Sequence, residues 1–297
     1  MKVKIAFLAH RIEFLDLLEK EIGECDSIIL EEPSDLYLER FLNGDISVEE
    51  YVTYSDANFP RYMFHQAQLL KNLYIKGLKI LQVEPYLEII ERIHMSIKVG
   101  KFKEYTSDPE VGRVLRTEKE AVGKLIEFQE ELMRGKFDHV VEKVIQFVIK
   151  DSERFKLRDY MRAAAISKLE EDGRVLVEAG YLHVLLPVFL EKLNIEVETV
   201  NLVEKACRII NQEYCENPGD SLTKAFILNQ TISGDARLLA AQSLVYTSLV
   251  SKDEKLPTPE NLFPHLVEEI NLAKKIRKMN YDECKREFQK LFRRNQS

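Results

Sequence analysis

The stretch Arg174-Val175-Leu176-Val177-Glu178-Ala179-Gly180-Tyr181-Leu182-His183 decides the fold. Val175, Leu176 and Val177 form a β-branched and apolar run, the pattern of a buried strand. Gly180 follows as the turn. Pro187 then falls where the first turn of a helix tolerates a residue without an N–H. His183 is thereby placed at a strand-to-helix corner, which in an open α/β sheet is where ligands bind.

Working outward, residues 3–9, 27–30, 79–83 and 196–200 read as further short apolar strands, with amphipathic helical spacing between them. Glu31-Glu32-Pro33 and Glu84-Pro85 close the second and third, since proline cannot continue a central strand. Residues 34–57 read as short helices and loops, and residues 101–116 as polar and irregular. Phe137, Val140, Val141, Val144, Ile145, Val148 and Ile149 follow helical spacing, with a break or kink expected at Asp151-Ser152. Past residue 201 only helical patterns remain. The order strand-helix-strand predicts an α/β fold: a mainly parallel sheet with right-handed crossovers, flanked by helices, with a helical C-terminal lobe. The expected division is residues 1–200 as the core carrying the site and residues 201–297 as the lobe.

The chain has 297 residues, 45% of them hydrophobic, enough for a large core. A net charge of −7 gives no general attraction to nucleic acid. Four cysteines, Cys25, Cys207, Cys215 and Cys284, are scattered without a Cys-x-x-Cys pair, which fits a reducing cytoplasm better than a disulfide framework or a zinc ribbon. The apolar run at the N-terminus is too short for a signal peptide, because His10, Arg11 and Glu13 interrupt it. No stretch reaches the roughly 18 apolar residues of a membrane helix. The partner expected is a small-molecule or peptide substrate, with no nucleic acid and no membrane; the oligomeric state is left open.

Four predicted strands end in a candidate ligand or acid–base group: His10, Glu31-Glu32, Glu84 and His183. In a parallel sheet the carboxyl ends share one edge, so these groups can converge. Two imidazoles and two carboxylates suit a divalent metal such as zinc, manganese or cobalt. They equally suit metal-free acid–base catalysis, with a carboxylate orienting a histidine. Side chains alternate along a strand, so one of Glu31 and Glu32 is expected to face the shared mouth. His65, His94, His139 and His265 lie on helical patterns and read as structural. Arg154, Arg158 and Arg162 share a helix face. Asp151 and Asp159 offer them local partners, or Arg158 turns toward the site.

These motifs resemble the Tiki/TraB superfamily, which includes erythromycin-esterase-like enzymes and a haem-binding lipoprotein branch. Phe7-Leu8-Ala9-His10 resembles its first Gly-x-x-His motif, with Phe7 in place of the glycine. Ile29-Leu30-Glu31 resembles its strand-end acid, Arg158-Asp159-Tyr160-Met161 its helix signature, and Gly180-Tyr181-Leu182-His183 its second Gly-x-x-His. The resemblance covers residues 1–200. It implies one site and a choice of chemistries: a metal-dependent peptidase, a metal-independent esterase or a haem binder. The first expectation is a metal-dependent hydrolase of peptide or ester bonds. His10, Glu31 and His183 would hold the metal, Glu84 or Glu32 would take the proton, and Arg158 would stabilise developing negative charge. The alternatives are a metal-independent esterase-like hydrolase and a non-catalytic haem- or protein-binding module.

Overall fold

The computed structural model describes residues 1–55, 59–230 and 236–294. Residues 56 and 57 of the segment expected to form short helices and loops lie outside the described residues. Five strands are present: β1 (Lys2–Leu8), β2 (Ser27–Leu30), β3 (Lys79–Gln82), β4 (Arg174–Gly180) and β5 (Glu196–Asn201). They form one sheet in the order β3-β2-β4-β1-β5, and every neighbouring pair is parallel. β4 is thus an interior strand, buried from Val175 to Ala179. Such burial on both faces explains why it reads as a continuous apolar run rather than an alternating one.

Topology singles out the β1–β4 pair. The chain leaving β1 travels to β2, on the far side of β4. The chain leaving β4 travels to β5, on the far side of β1. Connections that diverge from adjacent strands open a crevice at their carboxyl ends, the switch point of an α/β sheet. The register pairs Leu8 with Gly180. His10 and His183 therefore emerge two and three residues beyond the same rung of the ladder.

Two compact units make up the chain. One comprises Met1–Glu88, Asp159–Tyr214 and Lys252–Leu266 and contains the sheet. Its core includes the fully buried Val3, Ile5, Ile29, Ile166, Val175 and Leu190. Phe7, in β1 opposite Ala179, packs against this cluster rather than forming a turn. The other unit comprises Ile89–Arg158, Cys215–Ser251 and Val267–Ser297. All of its assigned elements are helical, and its core gathers Val140, Val141 and Val144 with Leu222, Ala241 and Phe288. In place of a single break near residue 200, each unit is built from three separated pieces of chain.

Residues 101–116, expected to be irregular, are largely helical: helix Phe102–Tyr105 is followed by helix Pro109–Arg134. The signal for the second lies in its caps. Asp108 accepts hydrogen bonds from the N–H groups of Glu110 and Val111, Pro109 occupies the first turn, and Gly135 ends the helix with φ of 70°. Helix Phe137–Ile166 runs unbroken through Asp151-Ser152. There the Ser152 hydroxyl folds back onto the Ile149 carbonyl within the same turn and Asp151 pairs with Arg154, so both side chains are satisfied inside the helix and neither ends it. Among the described residues, no helix is long and apolar enough to cross a membrane, and all four cysteines are free thiols.

Candidate functional site

Everything at the site lies in the sheet-bearing unit and centres on Gly180. An ideal Cβ built there would stand 3.5 Å from Glu31 Oε2, 3.6 Å from His183 Cδ2 and 3.9 Å from His10 Cε1. His10, Glu31 and His183, expected from their strand-end positions to converge, are thus brought around one residue. The Gly180 N–H donates to Glu31 Oε2 at 2.7 Å, which anchors the carboxylate to the end of β4. Of the two adjacent acids, Glu31 is the one that faces the imidazoles.

His183 is held at the corner by its own backbone and by Asp159. Its N–H donates to the Gly180 carbonyl, and its carbonyl accepts from Leu186 N. Asp159 hydrogen-bonds His183 Nδ1 and also accepts from Leu185 N at 3.0 Å, supplying the cap that helix Leu186–Lys192 lacks locally. Nε2 of His183 lies 2.8 Å from Glu31 Oε1. Burial by itself would disfavour the imidazolium. The charge of Glu31 and the hydrogen bonds to Asp159 and Glu31 outweigh it and raise the His183 pKa to about 9.

His10 is held differently. Its Nε2 lies 3.7 Å from Glu178 Oε1, and its ring centroid lies 5.6 Å from that of Tyr62. The His10 side chain is 36% exposed, whereas that of His183 is 2% exposed, so a molecule entering from solvent meets His10. Glu178 is buried within β4. It accepts from the Tyr62 hydroxyl at 2.9 Å and from Gln66 Nε2, which lies 2.9 Å from both carboxylate oxygens. Burial, with the charge of Glu31 added, pushes the Glu178 pKa up against the opposing pull of His10, Tyr62 and Arg162.

The remaining expected residues are placed apart from this centre. Glu84 is completely buried, its Oε2 4.0 Å from Arg162 Nε. Glu32 accepts from Gln82 Nε2 at 3.0 Å and from the Tyr51 hydroxyl at 3.5 Å. Its burial, with the charges of Glu178 and Asp35, outweighs the hydrogen bond from Gln82 and pushes it up to about 7. Arg158 belongs to the helical unit, while its helix neighbours Asp159 and Arg162 belong to the sheet unit. The arginine of the site is Arg162. It is fully buried, donating from Nε to the Val83 carbonyl at 3.0 Å and from Nη2 to the Glu178 carbonyl at 2.7 Å, with Nη1 3.8 Å from Glu31 Oε2. The local Asp159–Arg162 pairing allowed by the sequence is therefore replaced by long-range partners. His265 is buried and accepts the Lys255 N–H at 2.7 Å, and His139 stands 3.5 Å from Glu131 at the surface; both are structural.

Asp159, Arg162, Glu178, Tyr62 and Gln66 join the site although no strand-end or Gly-x-x-His position marks them as candidates. One signal was present: Glu178 is an ionisable residue inside an otherwise apolar strand, which burial makes costly unless it is paired. Tyr62 and Gln66 occupy helix Pro60–Ile75, whose sequence carries no motif.

Chemically, the residues suit a divalent cation in part. His183 Nε2 and Glu31 Oε1 are 2.8 Å apart, and two donors about 2 Å from one ion stand roughly 3 Å apart. Asp159 on Nδ1 is the outer carboxylate that metal-ligating histidines carry. A third donor from His10 or Glu178 requires a side-chain movement, because among the described residues no three such groups are already spaced as a metal site.

Among known proteins, the chain is 34% identical over 290 residues to an uncharacterized protein of Archaeoglobus fulgidus, a match that covers 98% of this chain and 99% of the relative. No family model and no solved structure matches it.

Proposed function

We propose that this chain, which belongs to one family with the Archaeoglobus fulgidus protein, is a hydrolase of peptide or ester bonds that takes up a divalent cation at the Gly180 corner. The observation that carries the reading is the convergence of His10, Glu31 and His183 on that glycine. The resemblance of the same three residues to the Tiki/TraB motifs supports it. His183, Glu31 and His10 would hold the cation, which when bound supplies a water of lowered pKa and polarises a carbonyl.

The chain's own residues define the rest. Asp159 fixes the ring of His183 and keeps its Nδ1 proton in place. Arg162 ties the end of β3 to β4 and faces Glu31, which keeps the acid from turning outward. His10, the accessible imidazole, meets the substrate. Glu32, turned toward Gln82 and Tyr51, and Glu84, fully enclosed beside Arg162, stand apart from the corner and are not positioned to take the proton of the attacking water; Arg162 replaces Arg158 as the cation nearest the site.

The test is elemental analysis of the purified full chain, with turnover of a peptide and ester panel before and after chelation. Stoichiometric zinc, manganese or cobalt, lost together with turnover in His10→Ala and His183→Ala, is expected. Metal-free protein that remains active supports the second reading, a metal-independent esterase-like hydrolase. The closed Asp159–His183–Glu31 arrangement favours that reading specifically, since it already orients the imidazole between two carboxylates. Absence of turnover under both conditions overturns the hydrolase.

A further inference from the structure

The two imidazoles at the corner are not equivalent, and the difference lies in a carboxylate that no motif marks. Both nitrogens of His183 meet carboxylates. His10 approaches one carboxylate, that of Glu178, and does so through Nε2 at 3.7 Å. Glu178 has little freedom to follow a moving ring. It projects from an interior strand, its backbone carbonyl accepts from Arg162, and its two oxygens are held by Tyr62 and Gln66, one helical turn apart on helix Pro60–Ile75. A carboxyl oxygen fixed beside one ring nitrogen favours the tautomer that carries its hydrogen there. The other nitrogen is then left with the lone pair.

We propose that Glu178, clamped by Tyr62 and Gln66, is a positioning residue for His10: it holds the hydrogen of the neutral imidazole on Nε2 and makes Nδ1 the nitrogen that acts on substrate or cation. This deepens the hydrolase reading and rests on it for any effect on turnover. The state of the ring can be measured whether or not the chain is a hydrolase. Tyr62 and Gln66 act through Glu178, so they belong to the same device without touching a substrate.

The experiment is long-range proton–nitrogen correlation on the full chain labelled with ¹⁵N-histidine, at a pH where the imidazole is neutral. His10→Asn assigns the His10 signals. In the wild type one tautomer is expected, hydrogen on Nε2 and lone pair on Nδ1. In Glu178→Gln the ratio of the two tautomers should move toward equality several-fold. Tyr62→Phe, which keeps the carboxylate but removes one clamp, should show a smaller shift in the same direction. If Glu178→Gln does not fold, as judged by circular dichroism, Tyr62→Phe decides.

A wild-type His10 with its hydrogen on Nδ1 overturns the proposal. So does a tautomer ratio unchanged in every folded variant. Where turnover is detected, Glu178→Gln is expected to lower kcat about tenfold or more with KM nearly constant, and the opposite split overturns the positioning role. If the wild type turns nothing over while the tautomer behaves as stated, the hydrolase reading fails and the assignment of Glu178 stands.

Discussion

Arg162 and Arg158 lie one helical turn apart and invite the same reading from sequence, yet their surroundings separate them. Arg162 is fully buried with carbonyls and carboxylates around it. Removing one member of such a set leaves buried charge uncompensated, so Arg162→Ala is expected to cost about 3–5 kcal/mol in chemical denaturation. Arg158 is half-buried, and Arg158→Ala should cost less than about 1 kcal/mol and leave turnover intact. Comparable losses in the two variants would refute the assignment of Arg162. A second prediction concerns Glu21, nearly buried between Lys4 at 2.5 Å and Lys205. Burial alone would raise its pKa, but hydrogen bonds from Lys205 and Lys4 lower it below 4.5. A carboxyl lowered on folding contributes stability above its unfolded pKa and loses it as pH falls through the folded value. Unfolding free energy measured from pH 6 to pH 3 should thus fall more steeply in the wild type than in Glu21→Gln; equal slopes would count against this ion pair.

Elements here are held by caps and turns that reach across the sequence. Helix Pro60–Ile75 has no side-chain cap of its own at Phe59. Glu254 supplies it, accepting from Arg61 N at 3.1 Å and Tyr62 N at 2.8 Å. Glu254→Ala is expected to cost about 1 kcal/mol and to speed amide exchange at Arg61 and Tyr62. Because Tyr62 clamps Glu178, the same variant should broaden the His10 ring signals. At Gly173 φ is +89°, and a Cβ would overlap Asp26 Oδ2. Asp26 also accepts the Arg174 N–H that leads into β4. Gly173→Ala should therefore lower stability by roughly 1–3 kcal/mol, read as a drop in Tm. Helix and strand patterns made all five strands and most helices legible, since burial of a face imposes a period on the sequence. The start of helix Pro109–Arg134 was missed because its signal lay in caps rather than in periodicity, and Glu254 carries no local sign of the helix it closes.

For the whole molecule, the interleaving of the two units has a direct consequence. The sheet unit needs Lys252–Leu266, which caps Pro60–Ile75 and, through the N–H groups of His265 and Leu266, satisfies Glu13. The helical core needs Leu222, Ala241 and Phe288 beside the valines at positions 140, 141 and 144. A fragment ending at residue 200 removes part of both. It should show no cooperative unfolding transition, whereas the full chain should; a cooperative transition in the fragment would contradict the discontinuous division. If the corner takes up a cation, ion at 100 times its Kd stabilises the folded chain by about 2.7 kcal/mol, seen as a rise in Tm that His183→Ala abolishes.

The amino-acid order alone determined the parallel α/β sheet and the meeting of His10, Glu31 and His183. Strand ends in such a sheet share an edge, and each of those residues follows an apolar run. Which acid faces inward, which arginine serves the site, and the entry of Asp159, Glu178, Tyr62 and Gln66 were decided only by tertiary structure. Those choices depend on partners far apart in the chain, Gly180 and Glu31 standing 149 residues apart and Tyr62 and Glu178 116, brought together by a strand order that no local pattern encodes.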